Sequence, residues 1–347
     1  MTMVAPSPVL RDQFGRGIEY LRISVTDRCN LRCVYCMPAG GLPWIPREQT
    51  LTADEIGRLV RELAPIGLRR VRLTGGEPTL RPDLERIVRL IRDVPDVEDI
   101  ALSTNGVRMC QQPGVAARLR DAGLDRVNLS ADSLRADRVA AMGRRDLGFD
   151  AVAAASIVES AGLTPVKLNV VVIRGENDDE IEEFARLTLR HAWHVRFIEL
   201  MPVGELAEAR AASGGSPLDL VVPSDEILSR LAALGRALGR PLAADDAAVR
   251  GNGPAAYHRF DGAPGRVGVI TPMTHTYCGS CNRVRLTADG RLRTCLYGDH
   301  EVMLRDALRR GEPLAPLVHA ALADKPLEHA LLVRRVGGLR ALSQVGG

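Results

Sequence analysis

The sequence predicts an α/β protein, an incomplete (β/α)6 TIM-like barrel followed by a smaller α+β domain. Short runs rich in Val, Ile and Leu lie at 20–25, 69–74, 98–103, 126–130, 166–172 and 194–199. Amphipathic runs alternate with them near 52–64, 80–92, 114–122, 134–142, 148–161 and 177–190. Such βα repeats imply a parallel sheet, and right-handed crossovers curl it towards a barrel; a complete barrel needs about eight. After Met201 the alternation stops.

The elements follow in order. Residues 1–16, with Pro6, Pro8 and Gly15, are expected to form a flexible arm. The barrel is assigned to 17–222. Thr52 before Ala53-Asp54-Glu55 and Asn177 before Asp178-Asp179-Glu180 are expected helix caps. The Gly-, Ala- and Ser-rich stretch 203–222 reads as a long loop. The second domain, 223–347, opens with a helix near 224–238 and a Pro-, Gly- and Asp-rich passage, 239–266. Strand-like pieces follow at 255–260, 266–271, 282–287 and 291–296, before a helical, Pro-punctuated end.

Hydrophobic residues make up 46% of the 347 residues but aromatics only 3%, so aliphatic side chains must fill the core. The formal net charge of +3, with acids and bases interspersed, does not suit a polybasic nucleic-acid binder. There is no run of about eighteen apolar residues and no leader pattern, so a cytoplasmic chain without a membrane anchor is expected. Seven clustered cysteines favour metal chemistry over a disulfide scaffold.

The densest chemistry lies in Cys29-Asn30-Leu31-Arg32-Cys33-Val34-Tyr35-Cys36. Three thiolates can bind three irons of a four-iron cluster, leaving one iron open for another ligand. Zinc sites usually pair their ligands in two separated units, and no His lies in this loop. The spacing resembles that of radical S-adenosylmethionine (SAM) enzymes, in which the open iron chelates SAM. Thr74-Gly75-Gly76-Glu77-Pro78, at a strand end, lets backbone approach a ligand, and Glu77 suits an ammonium group. It resembles the motif by which that family holds the SAM amine. Ser103-Thr104-Asn105-Gly106 and Leu129-Ser130-Ala131-Asp132 are further polar strand exits, where ligands of such sheets sit.

A second trio, Cys278, Cys281 and Cys295, leaves two readings open. With His275 it suits a structural zinc site. Beside Arg283 and Arg285, which alternation puts on one strand face, it suits a second cluster next to an anion. His194 is a lone acid–base candidate whose ordinary role is structural, and Cys110 lies outside both trios.

Taken together, the cysteine loop, TGGEP, STNG, VNLSADS, VRFIELMPVG, CGSCNRVRLTADGRLRTCL and the terminal Gly346-Gly347 resemble the GTP 3′,8-cyclases of molybdenum-cofactor biosynthesis. The resemblance runs from about residue 17 to the end and is weakest over 203–265. It implies a [4Fe-4S] cluster on Cys29, Cys33 and Cys36, with Tyr35, Gly76, Glu77, Ser130 and Met201 contacting SAM. A second [4Fe-4S] cluster on Cys278, Cys281 and Cys295 faces GTP. Arg22, Arg70, Arg72, Thr104, Lys167, Arg196, Arg283 and Arg285 contact GTP, with Arg70 standing where the family more often has Lys. The implied reaction uses a 5′-deoxyadenosyl radical to take hydrogen from C3′ of GTP. The ribose radical attacks guanine C8 to give (8S)-3′,8-cyclo-7,8-dihydro-GTP. No protein residue is then required as a catalytic acid or base. The resemblance also implies a flavodoxin- or ferredoxin-like electron donor, cyclic pyranopterin monophosphate synthase as downstream partner, no nucleic acid, and a possible homodimer. The competing readings are another two-cluster radical SAM enzyme, such as a peptide-modifying one, and a zinc-stabilised binding protein.

Overall fold

The computed structural model describes residues 10–247, 249, 253–298, 300–329 and 341–346. Six parallel strands pair in chain order: β3 (Tyr20–Ser24), β4 (Arg70–Thr74), β5 (Asp99–Thr104), β6 (Arg126–Ser130), β7 (Lys167–Val172) and β8 (His194–Glu199). All six lie where the sequence predicts them, within a residue or so. Their alternating side chains put Leu21, Ile23, Val71, Leu73, Val127 and Leu129 into one continuous core under the helices.

Helix α1 (Ala53–Leu63) buries Ile56, Leu59, Val60 and Leu63 on that core and packs against α2 (Leu84–Arg92). Thr52 caps it in a full capping box: its hydroxyl accepts from Glu55 N at 3.2 Å, and Thr52 N donates to Glu55 Oε2 at 2.8 Å. Further helices are α3 (Val107–Gln111), α4 (Gly114–Asp121), α5 (Ala136–Gly143), α6 (Ala151–Ser160) and α7 (Ile181–Leu187). Asn177 does not cap as expected. It is buried, its Nδ2 donates to the carbonyls of Asp132 (2.6 Å) and Val171 (2.9 Å), and its Oδ1 accepts from Ile173 N (2.8 Å). Its amide thus joins the exits of β6 and β7.

Two other expectations need correction. The segment 203–222 contains a helix, α8 (Gly204–Ala212), formed by the Ala-rich run and burying only Ala207. The expected arm is, from Leu10 on, a hairpin of β1 (Leu10–Arg11) and β2 (Gly17–Ile18), with Leu10 and Ile18 in the main core. Residues 1–9 of that arm lie outside the described residues.

The later chain continues the same sheet at both edges. After α9 (Ser224–Ala237) come β9 (Leu242–Ala244), β10 (Ala256–Phe260) and β11 (Arg266–Ile270). Strand β11 runs parallel to β8, with β10 and β9 antiparallel outside it. On the opposite side β12 (Arg283–Leu286) runs parallel to β3, followed outward by β13 (Arg291–Arg293) and β14 (Glu301–Met303). The result is a twelve-stranded sheet with β14 and β9 as its edges. Helices α10 (Leu304–Arg310), α11 (Ala315–Ala323) and α12 (Leu342–Val345) complete the chain. No helix among the described residues is long and apolar enough to cross a membrane.

Candidate active site

The register across three strands places arginines side by side. Arg285 on β12 is opposite Arg22 on β3, and Arg22 is opposite Arg72 on β4. With Arg196 and Arg283 they line a cavity enclosing about 1110 Å³ of empty space, open mouth included. Tyr35, Ser130 and Met201 line the same cavity. Burial holds the Arg22 guanidinium well below its ordinary pKa, and Arg285 and Arg72 push the same way; burial takes Arg72 down to about 10. Buried Arg72 Nε and Arg196 Nε have no hydrogen-bond partner among the described residues. Such crowding of like charge destabilises the empty site and favours an anion.

Lys167 is buried beneath this wall, and burial, then Arg196, Arg126 and Arg72, pushes its ammonium down to about 5. Arg126 is neutralised by Asp99, with Nε–Oδ1 at 3.0 Å and Nη2–Oδ2 at 2.5 Å. His194, next to Lys167 in the sheet, is lowered to about 3 by burial and by Lys167. Arg70 stands elsewhere: at the start of β4 it pairs with Glu19 (2.6 Å) and Glu98 (3.3 Å) and is not part of the cavity wall.

Cys29, Cys33 and Cys36 are partly buried on a loop docked against the strand ends. Gly76 N donates to Thr26 O (2.7 Å) and Glu77 N to Arg28 O (2.8 Å). A Cβ at Gly75 or Gly76 would collide with those carbonyl oxygens, and Gly75 has φ +151°. The close approach that requires these glycines is therefore to the cysteine loop itself. Buried Glu77 accepts from Thr79 N (3.0 Å), Thr79 Oγ1 (2.5 Å), Thr104 Oγ1 (2.6 Å) and Asn105 N (2.7 Å). Asn105 Nδ2 reaches Asn30 Oδ1 at 2.8 Å. Glu77 and Thr104, expected on SAM and GTP respectively, are bonded to each other in the scaffold under the cysteine loop, outside the cavity wall.

Burial raises the Cys29 thiol to about 11 and the Cys36 thiol to about 12, with Cys29 adding to the latter. Cys33 is raised well above its ordinary value by burial and by Cys36. Three such thiols within one loop fit a group that replaces their protons with metal. Each thiolate of a four-iron cluster binds its own iron, so the sulfurs need not converge on one point. Among the described residues no three His, Cys, Asp or Glu side chains are gathered around a single-ion position.

Tyr35 Oη donates to Asp132 Oδ2 at 2.7 Å, while Asp132 Oδ1 accepts from Val171 N at 2.9 Å. Burial raises the Asp132 carboxyl to about 6 despite those bonds. Asp132, two residues after Ser130, is a cavity residue whose sequence signal is only its place in a polar strand exit.

Tyr277 and Leu296, each adjacent in sequence to a cysteine of the second trio, line the cavity together with Arg283. Glu199, at the end of β8, accepts from Ser224 N (2.8 Å), Met273 N (2.9 Å), Thr274 N (3.0 Å) and Thr274 Oγ1 (2.5 Å). That buried carboxylate fixes the segment leading to Cys278. Burial raises the Cys281 thiol, but Arg283 and Lys325 outweigh it and lower the thiol to about 7. His275 instead faces Asp225 at 3.4 Å with a largely exposed ring. Tyr297, two residues after Cys295, donates to Met201 Sδ at 2.9 Å, and both Cys295 and Cys36 act on its phenol. It stands between the two trios, with no sequence signal beyond its position.

The C-terminal segment closes the wall. Ser343 in α12 lies against the Cys36 thiol. The Gly346 carbonyl accepts from Arg22 Nε (3.1 Å), Arg22 Nη2 (2.9 Å) and Arg285 Nη1 (2.6 Å). Gly347 lies outside the described residues.

Residues 23–188 match the Radical SAM superfamily, and residues 193–331 match Molybdenum Cofactor Synthesis C. The chain is 45% identical to a GTP 3′,8-cyclase of Heliobacterium modesticaldum over 343 residues, covering 97% of this chain and 99% of that one. It is 46% identical to a GTP 3′,8-cyclase of Moorella thermoacetica over 341 residues, covering 97% and 100%. In fold it is similar to Streptococcus suis SuiB bound to S-adenosylmethionine, with a TM-score of 0.56 at 13% identity over 87% of this chain and 68% of that one. Identity at this level over nearly the whole length establishes that the chain belongs to the GTP 3′,8-cyclase family, within the radical SAM superfamily.

Proposed function

We propose that this protein is a GTP 3′,8-cyclase catalysing the first step of molybdenum-cofactor biosynthesis. The observation that carries the reading is the Arg285–Arg22–Arg72 row on the wall of one cavity, which is also lined by Tyr35, next to Cys36, and by Tyr277 and Leu296, next to Cys278 and Cys295. When bound, the first cluster and SAM supply a carbon-centred radical. The chain supplies orientation and charge.

Tyr35, held by Asp132, together with Ser130 and Met201 forms the SAM side. A triphosphate of about −4 suits the arginine row, because planar guanidinium forks make bidentate bonds to phosphate and are already aimed. Arg196 extends the positive field behind that row, and Lys167, neutral in the free protein, adds to it on taking up a proton when the triphosphate binds. Cys278, Cys281 and Cys295 are read as the ligands of a second [4Fe-4S] cluster that holds the purine end. Glu77 and Thr104 act by fixing the cysteine loop, and Arg70 acts through its ion pairs. A flavodoxin- or ferredoxin-like donor, cyclic pyranopterin monophosphate synthase as consumer of the product, cytoplasmic location and a homodimer belong to the same reading.

The test is anaerobic turnover with SAM, reductant and GTP deuterated at C3′. The expected result is deuterium in 5′-deoxyadenosine and a nucleotide product with a new C3′–C8 bond. Undeuterated 5′-deoxyadenosine with GTP recovered intact would overturn the reading.

A further inference from the structure

Lys325, just beyond α11, is only 2% exposed. Its ammonium donates to the carbonyl oxygens of Arg283 (3.1 Å) and Thr294 and to Cys281 Sγ at 3.6 Å. An ammonium has three donors, and all three are used. None of those acceptors is a carboxylate, and the one that becomes an anion as a cluster ligand is the Cys281 sulfur. A buried cation is costly unless an anion meets it. A four-iron cluster carrying three thiolates is such an anion, and reduction makes it more negative.

The acceptors are also placed informatively. Arg283 lies two residues after Cys281, and Thr294 immediately precedes Cys295, so one ammonium ties together two ligand-bearing segments. Arg16 secures the third: its Nη1 donates to Cys278 O (2.7 Å) and Leu327 O (2.9 Å), and its Nη2 to Pro326 O (2.7 Å). The segment carrying Lys325 is therefore held against all three cysteines.

We infer that Lys325 is a positioning residue for the second cluster, clipping the Cys281 and Cys295 segments into one frame and raising the cluster's reduction potential with a fixed positive charge at the Cys281 sulfur. The inference rests on the two-cluster reading. A cation and a hydrogen bond at a ligand sulfur both favour the reduced state over the oxidised one, so removing them lowers the potential.

The experiment is a potentiometric titration of reconstituted full-length protein followed by electron paramagnetic resonance, with iron counted on each sample. Wild type should hold about eight irons per chain. About four would overturn the two-cluster reading, and this inference with it, before any variant is measured. Lys325→Met should shift the second cluster to a more negative midpoint potential while leaving the first unchanged. Lys325→Arg, which keeps the charge, should stay closer to wild type. Full iron with an unchanged second potential in Lys325→Met would overturn the inference. If Lys325→Met loses only the second cluster, Lys325→Arg decides: retention at near wild-type potential supports a charge role, and loss there too would overturn it.

Discussion

Arg285 Nη1 lies 2.6 Å from the carbonyl oxygen of Gly346, and Arg22 grips the same oxygen through two nitrogens. Residues from β3 and β12 thus meet at Gly346, and its neutral carbonyl orients both guanidiniums on the cavity wall without neutralising their charge. Gly346 is left-handed at φ +69°, and a Cβ there would come within 2.5 Å of Thr74 Cγ2.

Gly346→Ala should therefore displace the tail. Left-handed backbone costs an L-residue about 1–2 kcal/mol, and the Thr74 clash adds to it. Steady-state kinetics should show at least about a tenfold loss of kcat/KM for GTP. SAM cleavage by reductant without GTP should persist. Unchanged kinetics would mean that the tail contact is incidental.

Gly76→Ala acts where the turn after β4 meets the first cysteine loop. The new methyl meets Arg28 O, so the hydrogen bonds that dock the cysteine loop cannot form together. Iron after reconstitution should fall from about eight to about four per chain, with the first cluster lost. Full iron in this variant would show that the loop docks by other contacts.

Lys167 gives a proton-linkage prediction. With its folded-state pKa depressed to about 5, it is neutral in the free protein near pH 7. A triphosphate favours the charged form and raises that pKa, so binding takes up a proton. GTP affinity should fall as pH rises from about 5 towards the pKa in the complex, by at most about tenfold per pH unit for one proton. Calorimetry in buffers of different ionisation enthalpy should show this uptake in wild type and its loss in Lys167→Met. Equal uptake in both would place the titrating group elsewhere.

Glu199→Ala would leave Ser224 N, Met273 N and Thr274 N without their carboxylate. Hydrogen bonds to a buried charge are worth about 1.5–3 kcal/mol, so the unfolding free energy should drop by about 3 kcal/mol. Thermal unfolding measures it. The second trio should also lose iron before the first does.

The six barrel strands and both cysteine trios were legible because each rests on local pattern. Alternating aliphatics between amphipathic runs specify βα repeats, and Cys spacing is visible along the chain. What was not legible depends on register. Nothing local to Arg283-Val284-Arg285 says that β12 pairs with β3, yet that pairing puts Arg285 beside Arg22. Glu77 and Thr104 are 27 residues apart, and their residue types suit ligands as well as each other. The sheet resolves the choice by placing the end of β5 over the turn after β4. The hairpin from Leu10 to Ile18 was hidden by the prolines before it and by strands too short to show a period.

The most direct test of the central claim, that one cavity is flanked by two open clusters, is electron paramagnetic resonance of the reduced, reconstituted protein with SAM and with GTP added separately. The account predicts two [4Fe-4S] signals, one changed by SAM and lost in Cys33→Ala, the other changed by GTP and lost in Cys281→Ala. A single signal that responds to SAM and ignores GTP would contradict it.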